Sequence, residues 1–286
     1  MAELPELTIL QEQMHSALAG RSIASVEITQ PKCLNLPVKR AIGALSRKRI
    51  VGVTRRGKWL CLKLDPEQYL LLNLGMGADL WHYRAGVPLP AKYQFRVELS
   101  DGTGFTCRFW WFGHVHVLTP EQLARHAQTA RLGPSPTEIS SKQLVALARR
   151  YPRSHVKSLI LDQDKVSGIG NAYAHDVLWR ASLHPRRQLK TLSDQELRTY
   201  HAAIRYVVRR AIGKGGLETD FFQQQGNLKS FHKLFLIGYK EDRPCPRCRT
   251  PIRKIRTGST ATFVCPRCQP ERPAGSAKRA RTRSRG

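Results

Sequence analysis

The chain has 286 residues, of which 41% are apolar, so it is long enough for two domains with cores of their own. Lys and Arg number 48 against 21 Asp and Glu, and the net charge of +27 favours a nucleic-acid partner first and an anionic membrane second. It contains no run of about 18 apolar residues that could span a bilayer, and its start lacks the regions of a signal peptide. We therefore expect a soluble intracellular protein, cytoplasmic or nucleoid-associated, with no membrane contact.

The first part of the chain changes from a helical to a strand pattern. Residues 4–19 place Leu7, Met14 and Leu18 at roughly helical spacing behind a proline suited to a first turn. From about residue 21 to 118, short alternating stretches are separated by Gly, Pro and Asp turns, which is typical of an antiparallel sandwich or barrel. We predict that residues 1–131 form one domain, an N-terminal helix followed by an antiparallel β-sandwich, that carries the catalytic residues.

The second half of the chain is predicted to be mostly helical. Gly, two prolines and a capping serine interrupt the strand pattern at residues 132–140, which we interpret as a linker. Helical patterns then follow at 141–150, 156–163, 170–181 and 193–215, and predict an α domain over residues 141–238. The fold class is therefore α+β. The end, residues 271–286, has six basic residues and almost nothing apolar, and indicates a disordered tail that either raises DNA affinity or is incidental.

Two cysteine pairs indicate a metal site near the C-terminus. Cys245 and Cys248 are followed, after sixteen residues, by Cys265 and Cys268. Four thiolates at this spacing meet at one tetrahedral point, as in structural zinc sites, and leave no open position for catalysis. We predict one zinc ion in a finger over residues 239–270 whose β-hairpin either binds phosphates or presents a solvated basic face. The remaining cysteines, interpreted as core thiols of the strand region, are Cys33, Cys61 and Cys107.

A glycine-containing turn lies between two helical patterns at residues 156–185. Gly168 and Gly170 permit a tight turn, and Asn171 can cap the next helix. Backbone N–H groups at such a helix start, together with Asn171, would face outward and clamp a phosphate. The pattern alone is weakly specific.

The sequence of this segment is VKSLILDQDKVSGIGNAYAHDVLWRASLHP. The same chain starts with MAELPEL, and its finger ends with CPRCQ. In these segments and in domain order the chain resembles the formamidopyrimidine-DNA glycosylase and endonuclease VIII family. The resemblance implies that residues 141–238 are a helix–two-turn–helix DNA-binding domain, and we refer to residues 156–185 as its helix motif. The resemblance implies a monomeric enzyme, acting on double-stranded DNA that contains a damaged base or an abasic site. Such an enzyme extrudes the nucleotide, attacks C1′ with the amine of residue 2 and cleaves the strand by β- and δ-elimination.

The resemblance also assigns residues. It implies that Ala2 replaces the family's proline nucleophile, that Glu3 is the catalytic acid and base, and that Glu6 occupies a second acidic position. Lys58, in RRGKWL, matches a lysine that contacts the damaged nucleotide, and Asn171 matches a phosphate-binding asparagine.

In the helix motif, Lys157 and Gly168 are expected to be further DNA contacts. Asp176 is expected to form structural hydrogen bonds, and His175 to be a surface residue.

Several positions depart from the family pattern. Met76 and Phe112 match residues that fill the space left by the extruded base, but Trp110 and Trp111 replace two arginines. The tryptophans can stack or wedge, which puts the opposite-base preference in doubt; alternatively they are strand residues, one of which is buried. In the finger, Thr260 replaces an arginine, whose role Arg256 could take from nearby.

Two functions follow from these residues. In the first, the chain is an active glycosylase: removal of the initiator methionine exposes the Ala2 amine, whose ordinary pKa of about 8 the positive end of a helix would lower. A primary amine gives an imine that withdraws electrons only when protonated, so strand cleavage should be slower than base removal. In the second, the chain binds abasic or distorted DNA without catalysis. The lesion itself depends on loops such as residues 217–231, whose conformation the sequence does not predict.

Overall fold

A computed structural model of the protein describes residues 2–216 and 234–271. Residues 217–231, which we expect to shape the lesion pocket, and all of the basic tail beyond Glu271 lie outside the described residues. Among those that are described, no helix is both long enough and apolar enough to cross a bilayer.

The first helix, α1 (Leu4–Leu18), connects the two halves of the molecule. Pro5 lies in its first turn, where a missing N–H is tolerated. Leu7 and Leu10 are buried in the core of the N-terminal domain, whereas Leu4 is buried in the core of the helical domain. One helix therefore contributes to both cores, and its N-terminus lies where they meet.

The predicted sandwich is confirmed, with two four-stranded antiparallel sheets. One has the strand order β1-β6-β7-β5 and the other β2-β3-β4-β8. The strands are β1 (Ile23–Ile28), β2 (Arg49–Arg56), β3 (Trp59–Asp65), β4 (Gln68–Asn73), β5 (Ala78–Tyr83), β6 (Phe95–Leu99), β7 (Gly104–Phe109) and β8 (His114–Leu118). Alternate residues such as Leu60, Leu62 and Leu64 of β3 are buried between the sheets, as the two-residue period requires.

Three short elements in the sandwich domain have no counterpart in the strand pattern. They are a 3-10 turn (Pro31–Cys33) and the helices α2 (Val38–Leu45) and α3 (Pro120–Ala124). Cys33 therefore lies in a 3-10 turn and not in a strand. All three of Cys33, Cys61 and Cys107 are buried, as predicted for core thiols.

The second domain is helical, with α4 (Ser141–Arg150), α5 (Val156–Leu161), α6 (Asn171–Arg180), a 3-10 turn (Leu189–Thr191) and α7 (Asp194–Gly213). Ser140 and Ser193 begin α4 and α7 with capping boxes. The core packs α6 and α7 through Tyr173 and Tyr200, both almost fully buried.

The cysteine segment forms the predicted hairpin, β9 (Arg253–Thr257) and β10 (Thr260–Val264). It packs against α6 through a small cluster that includes Trp179 and Phe263. The finger and the helix after the glycine turn are thus one packed unit.

Candidate active site and nucleic-acid interface

The N-terminus of α1 lies directly on the glycine turn that precedes α6. The backbone N–H of Leu4 donates to the carbonyl oxygen of Gly168 at 2.8 Å. Gly168 has φ +102°, and a Cβ there would lie 3.0 Å from the Cβ and Cδ1 of Leu4. A side chain at position 168 would therefore be strained by its backbone and would crowd Leu4. These contacts bring residues 2 and 3 to the helix motif.

The carboxylate of Glu3 caps α6. Its Oε2 accepts a hydrogen bond from the N–H of Gly170 at 2.5 Å, and its Oε1 accepts one from the N–H of Ala172 at 2.9 Å. The expectation that Asn171 caps the helix is wrong, because Gly170 is the N-cap residue and Asn171 the first helical residue. The N–H groups of Gly170 and Ala172 likewise face Glu3 instead of pointing outward to a phosphate.

Gly170 allows Glu3 and Lys58 to approach the same point. A Cβ at Gly170 would lie 2.4 Å from Glu3 Oε1 and 2.6 Å from Lys58 Nζ. Lys58 reaches this point from the two-residue loop between β2 and β3, in which only Gly57 has a positive φ, +57°. The absence of a side chain at position 170 therefore leaves room for both the carboxylate and the ammonium.

Burial changes the acidity of both groups. Glu3 is fully buried, and desolvation raises the pKa of its carboxyl group, opposed by the charge of Lys58 and the two backbone N–H groups. Desolvation also lowers the pKa of the Lys58 ammonium, opposed by Glu3 and Glu6. A carboxyl group that binds a proton more readily than usual is suited to proton transfer.

Glu6 forms a second buried layer behind Glu3. Its Oε2 accepts from the backbone N–H of Glu3 at 2.9 Å, and its Oε1 accepts from the hydroxyl of Tyr173. Burial raises the pKa of Glu6 to about 7, against hydrogen bonds that lower it. Tyr173 was missing from the residues predicted from sequence. The available signal was its place in the first turn of α6, next to the residues that Glu3 caps.

Ala2 precedes this arrangement and is partly buried, packed against the core of the N-terminal domain. Met1 lies outside the described residues. The backbone nitrogen of Ala2 is therefore one residue away from a buried carboxyl group and near the start of a helix.

Lys157 occupies a polar cage between α5 and the finger hairpin. Its Nζ donates to the hydroxyls of Thr257 and Thr260, both at 2.9 Å, and of Thr262 at 2.6 Å. Desolvation lowers the pKa of Lys157 to about 8. Within the described residues, no carboxylate oxygen lies within salt-bridge distance of this ammonium. Thr260 of the hairpin thus contacts a lysine from another element.

The remaining residues of the helix motif lie between α6 and the finger. Asn171 Nδ2 donates to the carbonyl of Ala261 at 3.2 Å. Asp176 accepts from three consecutive backbone N–H groups, at residues 236–238, and its predicted structural role is confirmed. The prediction that His175 is a surface residue is wrong: it is fully buried between the rings of Tyr239 and Phe263. The sequence did not indicate that the finger covers this side of α6.

Arg256 is exposed on the hairpin, at the position paired with Ala261 in β10. Its Nε donates to the carbonyl of Gly258 at 3.3 Å. Arg256 lies on the hairpin that encloses Lys157. Among the described residues, its side chain forms no hydrogen bond with Lys157 or with the three threonines.

Four large apolar side chains are exposed together on the sandwich domain, and we refer to Met76, Trp110, Trp111 and Phe112 as the aromatic ridge. Their exposed fractions are 51%, 43%, 65% and 75%. The alternative that strand packing buries one tryptophan is wrong, because β7 ends at Phe109 and both tryptophans lie in the following turn. Phe112 has φ +54°, a region that bulky residues rarely adopt.

The four finger cysteines converge. Their sulfur atoms all lie within 4.8 Å of one another, and Cys248 Sγ is 3.4 Å from both Cys265 Sγ and Cys268 Sγ. A zinc tetrahedron with bonds of about 2.3 Å has edges of about 3.8 Å, so the four thiolates fit one structural zinc ion. The indole N–H of Trp179 donates to Cys245 Sγ at 3.3 Å and connects α6 to the metal site.

A β-sandwich, a helix–two-turn–helix domain and a four-thiolate finger, with an N-terminal acid held in the helix motif, together define the helix–two-turn–helix class of DNA repair glycosylases. Family models agree. The formamidopyrimidine-DNA glycosylase N-terminal domain matches residues 1–110, its H2TH domain residues 132–223, and the zinc finger found in FPG and IleRS residues 243–270.

Whole-chain comparisons extend this result. Formamidopyrimidine-DNA glycosylases of Streptococcus pneumoniae and Bacillus subtilis are 31% and 32% identical, over 94% of this chain and 99% of theirs. The Lactococcus lactis Fpg in complex with DNA containing an abasic site has a TM-score of 0.85 at 25% identity, covering 94% of this chain and 100% of that one. The chain belongs to the formamidopyrimidine-DNA glycosylase family.

Proposed function

We propose that this chain removes a damaged base from double-stranded DNA with the amine of Ala2 as nucleophile. The observation that supports this most is the buried carboxylate of Glu3, which is held by the N–H groups of Gly170 and Ala172 one residue after the amine. The related Lactococcus lactis structures contain abasic-site DNA or DNA with N7-benzyl-Fapy-dG, which supports a damaged nucleotide in duplex DNA as substrate. We propose the location that such a substrate requires, intracellular and either cytoplasmic or nucleoid-associated.

The proposed first step is displacement of the base. The lone pair of the Ala2 nitrogen forms a bond to C1′ as the bond from C1′ to the base breaks and its electron pair leaves with the base. Glu3, whose pKa burial raises, accepts a proton from the attacking amine and returns one to a leaving oxygen or nitrogen. Lys58, beside it, holds the negative charge of the nucleotide's phosphate or stabilises the sugar.

The second step is elimination, and Ala2 affects it. Loss of the amine proton and opening of the sugar ring give a neutral imine, because the amine is primary. Only the protonated imine withdraws the electrons released when a C2′ proton is removed and the 3′-phosphate leaves. We therefore propose that strand cleavage is slower than base removal. Substituting Ala2→Pro, which restores an iminium that is cationic at every pH, should increase the rate of cleavage relative to base removal.

Phosphate binding is proposed for the junction of the helix motif and the finger. Lys157 places a cation in the hairpin beside Thr260, the position where the family resemblance implies an arginine. Asn171 donates a hydrogen bond to the carbonyl of Ala261, the next residue in the strand. The finger positions both groups, so the proposed role of the zinc ion is to hold the finger together and not to take part in catalysis. Met76 and Phe112 are proposed to enter the space that the extruded nucleotide leaves.

A second candidate is a protein that binds damaged DNA without cleaving it. The observations that favour it are Ala2 in place of proline and Thr260 in place of arginine. The buried carboxyl group of Glu3 argues against it, because an acid beside a DNA backbone weakens binding, and a protein without chemistry could cap α6 with a neutral side chain.

The two candidates are separated by incubating the methionine-free protein with a panel of duplex oligonucleotides, each with one oxidised, ring-opened, alkylated or abasic nucleotide. Release of a free base from at least one duplex supports the glycosylase. Tight binding across the panel with neither base release nor strand cleavage supports the binding protein.

A further inference from the structure

The aromatic ridge is carried by two loops whose backbones are hydrogen bonded to each other. The N–H of Met76 donates to the carbonyl of Trp111 at 3.0 Å, and the N–H of Trp110 donates to the carbonyl of Gly77 at 2.9 Å. Gly75, with φ +54°, has room for no Cβ, since one would lie 2.1 Å from the Trp111 carbonyl oxygen. The two loops are thus joined closely, and the ridge is one preformed surface.

Trp110 is fixed more tightly than its neighbours. Its indole N–H donates to Asp79 Oδ2 at 3.2 Å. A Cβ at Gly77 would lie 2.6 Å from ring carbon Cε3, so the six-membered ring of the indole packs against the backbone of Gly77. With 43% of the residue exposed, the ring presents a flat surface to solvent while its single hydrogen-bond donor is already used.

The ridge is connected to Lys58 through Asn73. Asn73 Oδ1 accepts from the N–H of Gly75 at 2.9 Å, and Asn73 Nδ2 donates to the carbonyl of Lys58 at 3.4 Å. The ridge therefore lies beside the site at which the nucleotide is bound. An enzyme that extrudes a nucleotide there leaves a gap in the stack and an unpaired base on the other strand.

Resting on the function proposed above, we propose that Trp110 stacks on the base opposite the extruded nucleotide and contacts no hydrogen-bonding edge of it. Stacking accepts every base, because each has an aromatic face. Distinguishing bases requires donors and acceptors aimed at base edges, and Trp110 has its one donor bound to Asp79. The enzyme therefore takes lesions opposite any of the four bases.

The test uses a duplex with a tetrahydrofuran abasic analogue, which has no base to lose, opposite the fluorescent base 2-aminopurine. Because this measures stacking without chemistry, it does not depend on whether the chain is a glycosylase. The complex with Trp110→Ala should be about twofold or more brighter than the wild-type complex, since an aromatic ring that stacks on 2-aminopurine quenches it. Trp110→Phe, which keeps a ring, should remain quenched.

Dissociation constants for the same analogue opposite A, C, G and T complete the test. The wild-type values should agree within about threefold, as expected of stacking. Trp110→Arg adds donors and should separate the four values by about tenfold or more. Val87→Arg is the matched control, because Val87 is an exposed apolar residue of the same domain outside the ridge, and it should leave the four values close together.

The proposal is overturned if wild-type protein separates the four opposite bases by tenfold or more, or if Trp110→Ala leaves the fluorescence of the complex unchanged. It is also overturned if Trp111→Ala, and not Trp110→Ala, relieves the quenching. If Trp110→Ala does not fold, the comparison of Trp110→Phe with Trp110→Arg on the four duplexes decides the question.

Discussion

The carboxylate of Glu3 accepts a hydrogen bond from the backbone N–H of Ala172 at 2.9 Å, across 169 positions of sequence. Two functions of one side chain meet here: Glu3 is the proposed proton carrier for the Ala2 amine, and it is also the cap of the helix that follows the glycine turn. Folding of the helical domain against α1 therefore completes the active site.

Substituting Glu3→Gln should reduce base removal by about a hundredfold or more, because an amide carries no proton for the reaction. Binding to tetrahydrofuran DNA should be unchanged or tighter, since a negative charge near phosphates is removed. The amide also turns one donor toward the N–H of Gly170 or Ala172, so the free energy of unfolding should fall by about 1–3 kcal/mol. Excision rates, dissociation constants and urea unfolding measure the three effects.

Glu12→Gln is the matched control, since Glu12 is an exposed residue of the same helix α1. All three quantities should keep their wild-type values. Normal excision by Glu3→Gln would contradict the assignment of Glu3.

Substituting Gly170→Ala should displace the side chains of Glu3 and Lys58 and slow the proposed reaction. Its Cβ would lie 2.4 Å from Glu3 Oε1 and 2.6 Å from Lys58 Nζ, so both must move. A shift of about 1 Å in a catalytic group is enough to reduce a rate by about a hundredfold. Gly43→Ala, in α2, is the control, because a Cβ there meets nothing within 4 Å. Equal activity of the two variants would show that the close approach at Gly170 does not matter.

The pKa of Glu6 makes stability depend on pH. Its folded value of about 7 lies above the ordinary 4.5, so its contribution is complete below pH 4.5 and is lost as the pH rises through 7. Ionisation should lower the free energy of unfolding by roughly 3 kcal/mol over this window. In Glu6→Gln this part of the decrease should be absent, while Glu12→Gln should retain it. Urea unfolding from pH 4.5 to 8 tests this, and parallel curves for wild type and Glu6→Gln would refute it.

Substituting Lys157→Met should weaken DNA binding with little change in stability. Methionine fills the same space, and the hydroxyls of Thr257 and Thr262 remain hydrogen bonded to each other. If Lys157 neutralises one phosphate, the slope of log affinity against log salt should decrease by about 1. The pKa of about 8 predicts in addition that wild-type binding weakens as the pH rises through 8, where the cation is lost, and that this change is missing in the variant.

Lys142→Met, at an exposed position of α4, is the control for this variant. In Lys142→Met, DNA binding should still weaken as the pH rises through 8. A salt slope for Lys157→Met equal to that of wild type would mean that Lys157 only supports the hairpin.

The sequence predicted those parts of the protein that depend on local pattern. Helix α1, the antiparallel sandwich and the zinc hairpin follow from periodicity and cysteine spacing. The tight turn before α6 follows from the glycine at position 168. Contacts between distant segments could not be predicted in the same way. Asparagine is a common helix N-cap residue, which is why the sequence indicated Asn171 as the cap of α6. Glu3 caps this helix instead, because α1 packs onto the turn. His175 was expected at the surface because nothing in its neighbourhood indicates that the finger covers it.

Borohydride trapping tests whether the Ala2 nitrogen forms a covalent intermediate with DNA. Methionine-free protein is incubated with an abasic-site duplex and borohydride, and the adduct is digested and analysed by mass spectrometry. We expect a stable adduct whose mass shift lies on the N-terminal peptide beginning at Ala2. Protein that retains Met1 should give no adduct at Ala2. An adduct on a lysine such as Lys58, or no adduct with the methionine-free protein, would contradict the proposed role of the Ala2 nitrogen.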